Sequence, residues 1–193
     1  MSTWQSYIKE YQIYLRLERG LSKNTIENYT FDIEKLVLFL HQHDIAVSPI
    51  TITEETIQQF IYEISSKVNA RSQSRVISGL KSFFNYLVFE DYRKETPLEL
   101  IEVPKTGRKL PDTLATEEID ALISAIDLST PEGERNRAML ETLYSCGLRV
   151  SELVGLKISD LFFEEGFIKI TGKGNKQRFV PVSPQAITEL ELW

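Results

Sequence analysis

Apolar residues recur every three or four positions through the first half of the chain, in four separate stripes. Trp4, Tyr7, Ile8, Tyr11 and Leu15 make the first; Ile26, Tyr29, Ile33, Leu36, Val37 and Leu40 make the second. Ile57, Phe60, Ile61 and Ile64 follow, then Val76, Leu80, Phe83, Phe84 and Leu87. A period near 3.6 puts such positions on one face of a helix, so the spacing predicts four amphipathic helices around one small core. Gly20 stands where the first helix needs a left-handed terminal residue, and Ser22 or Asn24 can cap the second. Thr53, followed by Glu54 and Glu55, opens the third with acids at the positive end of its dipole.

Around Val103-Pro104-Lys105-Thr106-Gly107-Arg108-Lys109-Leu110-Pro111-Asp112 the stripes stop. Prolines and a glycine among polar residues suit an extended connection, which predicts a helical domain over 1–104, a linker over 105–112 and a second domain over 113–193. Beyond the linker the period changes. Thr116-Glu117-Glu118 starts a helix carrying Ile119, Leu122, Ile123 and Ile126. Thr130-Pro131 is an N-cap with proline at the first helical position, and its helix runs on through Met139, Leu140, Leu143 and Tyr144. After Gly147 a short helix holds Val150, Leu153, Val154 and Leu156. Phe167–Thr171 and Arg178–Val182 read as strands with Gly172–Gln177 turning between them, and Ser183-Pro184 starts a last helix whose face is Ile187, Leu190 and Leu192. The fold class is therefore mainly α with a small β-hairpin or sheet. A helix that has only just established its face at Trp193 suggests a fragment of a longer protein.

Composition narrows the function classes. The 193 residues exceed the roughly 100–150 of a common single domain, and 42% apolar with 26% charged residues is an ordinary globular balance. No run reaches the ~18 apolar residues of a membrane span, and Met1-Ser2-Thr3-Trp4 does not begin a signal peptide, so a cytoplasmic protein is expected. The single cysteine, Cys146, cannot form an internal disulfide and reads as a small core residue. His41 and His43 sit two apart at a polar helix end, where side chains diverge, so they read as surface residues and no metal site is expected. The net charge of −6 is unevenly spread: residues 1–109 hold 14 Lys+Arg against 14 Asp+Glu, and 110–193 hold 8 against 14. Phosphate binding follows local clusters of cations, so the overall sign does not exclude nucleic acid.

Two motifs carry chemistry. In Cys146-Gly147-Leu148-Arg149-Val150-Ser151-Glu152-Leu153, Glu152 lies three residues after Arg149 on one helical face and can hold its guanidinium. A fixed guanidinium fork can take two phosphate oxygens at once; the plain alternative is a surface ion pair worth ~0.5 kcal/mol. In Gly172-Lys173-Gly174-Asn175-Lys176-Gln177-Arg178 the glycines permit a tight turn that presents Lys173, either to solvent or into a nucleic-acid groove where it can donate a proton. A P-loop is excluded, since Gly174-Asn175 and a strand follow the lysine in place of Ser or Thr and a helix.

In joint order and spacing these segments resemble the tyrosine recombinases, or phage-integrase family, with the Xer-type branch nearest. Leu21–Tyr29 and Arg71–Phe84 are similar to the second and fourth helices of the family's core-binding, SAM-like domain. Lys109-Leu110-Pro111, the Arg149 segment and the Lys173 turn are similar to the opening, the first-arginine box and the hairpin lysine of its catalytic domain. The resemblance implies a four-helix core-binding domain followed by the first part of an α+β catalytic domain. It implies metal-free, cofactor-free strand exchange on double-stranded DNA through a 3′-phosphotyrosyl intermediate, which conserves the phosphodiester energy. Arg149 would neutralise non-bridging oxygens, Lys173 would protonate the departing 5′-oxygen, and Glu152 would position. Asn24, Thr25, Ser72, Ser74, Arg75 and Lys81 would face DNA from the helical domain, with Lys105 and Arg108 meeting phosphates from the linker.

The family's His-x-x-Arg box and tyrosine nucleophile have no counterpart here. Tyrosines stand at 7, 11, 14, 29, 62, 86, 92 and 144, all before the lysine turn. The chain alone is therefore expected to be an inactive monomer, whereas complete family members work as tetramers on paired sites. The alternative is a non-catalytic module that occupies recombination sites.

Overall fold

The computed structural model describes residues 3–105, 107 and 110–193, without the side chains of Thr3 and Lys173. It divides into two compact units, Met1–Lys109 and Leu110–Trp193.

The four stripes form α1 (Thr3–Leu17), α2 (Lys23–Gln42), α3 (Glu54–Lys67) and α4 (Ala70–Phe89). Ser22 and Thr53 cap α2 and α3 through their side-chain oxygens, and Asn69 caps α4, its Oδ1 accepting from the Ser72 amide at 2.9 Å. Helix α2 lies along α4, with α1 against α2 and α3 against α4. The stripes meet in one core in which Trp4, Tyr11, Phe60, Phe83 and Phe84 are buried. Buried hydroxyl and indole groups find partners: Tyr11 Oη donates to Ser82 Oγ at 2.7 Å, and Trp4 Nε1 to the Val47 carbonyl at 2.8 Å. These bonds remove the penalty of burying a lone donor. Among the described residues no helix is long and apolar enough to cross a membrane.

The second unit contains α5 (Thr116–Ser124), α6 (Pro131–Cys146), α7 (Val150–Val154) and α8 (Pro184–Leu192) with a three-stranded antiparallel sheet ordered β1 (Leu161–Phe162), β2 (Phe167–Thr171) and β3 (Gln177–Pro181). Thr130 and Ser183 cap α6 and α8, and the Glu118 carboxylate accepts from the Ala115 amide at 2.8 Å to close the start of α5. Ile168 pairs with Val180 and Ile170 with Arg178, and the inner face carries Ile168 and Ile170 against Cys146, Val182 and Ala186. Cys146 is the buried core residue expected from its sequence context, and burial raises its thiol pKa.

Four details depart from the sequence reading. Strand β1 is too short to show any periodicity, and β3 is shifted one residue towards the N-terminus of the expected range. Of the apolar positions expected for α7, Leu153 and Leu156 are half-buried, with Leu156 against the core, but Val150 and Val154 are exposed and Glu152 is buried. In α8 the buried positions are Ala186 and Glu189, and Leu192 is exposed, because Glu189 turns inward to pair with Arg137 of α6 at 3.0 Å.

Candidate phosphate-binding site

Gly147 ends α6 in the left-handed conformation, φ 58° and ψ 40°, which lets the chain reverse within two residues. Arg149 follows in extended conformation as the N-cap of α7. Glu152, in the first turn of that helix, folds back on it: Oε2 accepts from the Arg149 amide at 2.9 Å and Oε1 from Arg149 Nη1 at 2.9 Å. The ion pair expected between these two residues is therefore present, and it closes the start of α7 as well.

A second guanidinium meets the same carboxylate. Arg178 Nη1 donates to Oε1 at 2.8 Å and Nη2 to Oε2 at 3.0 Å, a two-pronged fork from strand β3. Glu152 thus receives four hydrogen bonds, two on each oxygen, which fills the acceptor capacity of a carboxylate. Hydrogen bonding by Arg178 first, then by the Arg149 amide, pushes its pKa down to about 2, and the same pair raises the pKa of Arg178. Two guanidiniums around one carboxylate leave one positive charge in excess. That excess faces solvent on Arg149, whose side chain is 71% exposed against 3% for Glu152.

Sequence reasoning missed Arg178, whose place is set by the pairing of β3 with β2. In β3 it alternates with Val180, and across the ladder it faces Ile170, so it occupies the apolar face of the sheet. Its side chain remains 42% exposed there, and its guanidinium reaches the buried Glu152.

Lys173 opens a 3₁₀ turn, Lys173–Asn175, between β2 and β3. The turn is closed by the Gly172 amide donating to the Lys176 carbonyl at 2.8 Å and uses positive φ at Gly174 (74°) and Asn175 (59°). Its backbone follows directly on Gly172, which sits against Glu152, but the Lys173 side chain lies outside the described residues.

The residues predicted to face DNA from the helical unit fall into two groups. Asn24 is exposed and Thr25 half-buried at the start of α2, Thr25 sharing a 2.9 Å hydroxyl contact with Ser22; Ser72 and Ser74 are half-buried on α4. Lys105 is exposed, and Arg108 lies outside the described residues. Arg75 and Lys81, by contrast, have structural partners. Arg75 Nη1 pairs with the buried Asp32 Oδ2 at 2.7 Å, and Lys81 Nζ donates to the Ile101 carbonyl at 2.8 Å.

The fold and this cluster define a two-unit, mainly helical protein whose α+β unit presents a braced arginine suited to an anion. The chain matches the phage integrase N-terminal SAM-like domain over residues 8–91 and the phage integrase family over residues 112–193. It is 38% identical over 190 residues to a tyrosine recombinase XerD of Staphylococcus haemolyticus, a match covering 98% of this chain and 64% of that protein. It is 40% identical over 187 residues to a tyrosine recombinase XerD of Listeria monocytogenes serotype 4b, covering 96% and 63% respectively. The chain belongs to the tyrosine recombinase, or phage integrase, family. It spans less than two thirds of the length of these relatives. Its fold is shared with a lambda integrase tetramer bound to a Holliday junction, with a TM-score of 0.72 at 20% identity over 95% of this chain and 52% of that one.

Proposed function

We propose that the chain acts in site-specific recombination: its helical unit binds double-stranded DNA at recombination sites, and its α+β unit contributes to breaking and rejoining strands through a 3′-phosphotyrosyl intermediate. The observation that carries this reading is the exposed Arg149 held by buried Glu152, in a chain of this family. In this reading Arg149 grips the non-bridging oxygens of the scissile phosphate, where a preorganised cation is worth several kcal/mol because no solvent must reorganise around the growing charge. Glu152 holds that guanidinium, and Lys173 protonates the departing 5′-oxygen.

The tyrosine nucleophile is taken from chain outside residues 1–193. Tyr11 and Tyr86 are buried and their pKa values are pushed up by burial, the opposite of what a nucleophile needs. Other recombinase subunits assemble with the complete protein on paired sites, the segment alone is monomeric, and the protein works in the cytoplasm.

Asn24, Thr25, Ser72, Ser74, Arg75, Lys81, Lys105 and Arg108 are the DNA-facing set of this reading. Arg75 is a poor probe of it, because a glutamate there would set a second carboxylate beside buried Asp32. Lys105, exposed at the edge of the helical unit, is a better one. Fluorescence anisotropy with a labelled duplex should show affinity falling linearly on logarithmic axes as salt rises, with Lys105→Glu weakening binding and flattening the slope. Salt-independent binding would count against the reading. The full-length protein should form a covalent adduct on a nicked suicide duplex, and Arg149→Ala should abolish the adduct while preserving binding; undiminished adduct in that variant removes Arg149 from the chemistry.

A further inference from the structure

We propose that Arg178 is a positioning residue, which acts through Glu152 to hold Arg149 in place and to tie the base of the lysine turn to the start of α7. The inference rests on the recombinase reading only for its link to strand cleavage.

The geometry divides the work on Glu152. From its own helix the carboxylate receives the Arg149 amide and a single Nη1 contact from the Arg149 side chain. A single contact leaves a long, exposed arginine free to swing about it, and exposed pairs of this kind hold weakly. Arg178 supplies what is missing. Its fork engages both oxygens together, which fixes the plane and rotation of the carboxylate and hence the direction from which Oε1 meets Arg149.

The same fork joins two elements far apart in sequence. Arg178 lies at the turn end of β3, opposite Ile170 of β2, and so carries the base of the turn with it. Gly172, the residue before Lys173, packs directly onto this joint. A Cβ built there would lie 3.1 Å from Glu152 Oε1 and 3.3 Å from Arg178 Nη1. Its φ of −96° is open to any residue, so glycine at 172 serves close approach rather than backbone conformation. The Arg149-bearing helix start and the Lys173-bearing turn are thereby held in one register by one carboxylate. Lysine at 178 would keep the charge but replace the planar fork with a single rotating contact.

The test compares Arg178→Gln and Arg178→Lys with the unsubstituted protein by three measurements. In the 193-residue chain, NMR titration of the Glu152 carboxyl should show its pKa moving up towards the ordinary glutamate range in Arg178→Gln, and hydrogen exchange at the amides of Gly172–Lys176 should accelerate at least tenfold. In the full-length protein, single-turnover cleavage of a nicked duplex should fall about a hundredfold with duplex affinity changed less than threefold, a loss in kcat rather than KM; Arg178→Lys should recover part of it. An amide spectrum matching the unsubstituted chain elsewhere, which is also expected, separates this result from unfolding. Unchanged Glu152 titration and turn exchange in Arg178→Gln would overturn the proposal, as would cleavage at the original rate. If the unsubstituted full-length protein forms no adduct, the recombinase reading fails, and titration and exchange still decide whether Arg178 positions Glu152 and the turn.

Discussion

Arg75 lies on the solvent side of α4, yet its guanidinium is spent on Asp32, a carboxylate with no exposed surface. Burial raises the Asp32 pKa, while Arg75 first and Lys35 next oppose the rise. Removing one partner of a buried pair strands the other, at a cost of about 3–5 kcal/mol when both are buried. Because the Arg75 side chain is 43% exposed, solvent screening reduces this to about 1–2 kcal/mol for Arg75→Ala. The pH dependence has a definite sign. A carboxyl whose folded pKa lies above its unfolded value of about 3.9 opposes folding when ionised, and that opposition is relieved as pH falls through the folded pKa. The stability deficit of Arg75→Ala, followed by thermal unfolding, should therefore be largest near neutral pH and shrink towards pH 4. A deficit independent of pH would mean that Asp32 is not the group stranded. None of this was legible in the sequence: Asp32 and Arg75 are 43 residues apart, and each reads alone as a solvated charge on a helix.

At the scale of elements, the helices were legible because their cores and caps are written locally. Trp4 to Leu15 shows the period, and Ser22, Thr53 and Thr130 each lie next to the turn whose amides they satisfy. What remained hidden is where elements approach one another. Gly79 lies inside α4 and would ordinarily be read as a weakness in the helix, since alanine is favoured there by about 1 kcal/mol. Its place is set by α2: a Cβ at 79 would stand 2.8 Å from Asp32 Oδ2 and 3.0 Å from Asp32 Cβ. Gly79→Ala should accordingly destabilise the helical unit by about 1–3 kcal/mol in urea unfolding, the overpacking term exceeding the gain in propensity. Stabilisation would show that α2 and α4 can part at little cost. Strand β1 stayed hidden for a different reason, since two residues, Leu161 and Phe162, become a strand only by pairing with Ile168 and Phe167.

At the scale of the whole molecule, each compact unit closes its own core. The larger gathers the aromatic residues of α1 to α4, and the smaller is built on Ile168, Ile170 and Ala186. Separate cores of unequal size lead to separate unfolding events. Phe83, fully buried between Trp4, Tyr11 and Phe84, tests this. Phe83→Ala should cost about 3–5 kcal/mol and lower one calorimetric transition while leaving the other in place. A single transition that moves as a whole would show the units to be coupled. The change of period near residue 103 made the two-part organisation legible, and the Arg149–Glu152 spacing gave half of the cluster. Its other half, Arg178, reaches Glu152 only when β3 folds onto β2, and that pairing is not a local property of the sequence.

Four hydrogen bonds on one carboxylate also determine how protons move near the cluster. With its pKa pushed down to about 2 by hydrogen bonds from Arg178 and the Arg149 amide, Glu152 is an ionised carboxylate near neutral pH. Near neutral pH the carboxylate therefore acts as a hydrogen-bond acceptor and not as a proton donor or acceptor. Any pH limb in the strand cleavage proposed for the full-length protein must then belong to another group. Glu152→Gln should lower the cleavage rate at every pH without removing a limb from its pH profile.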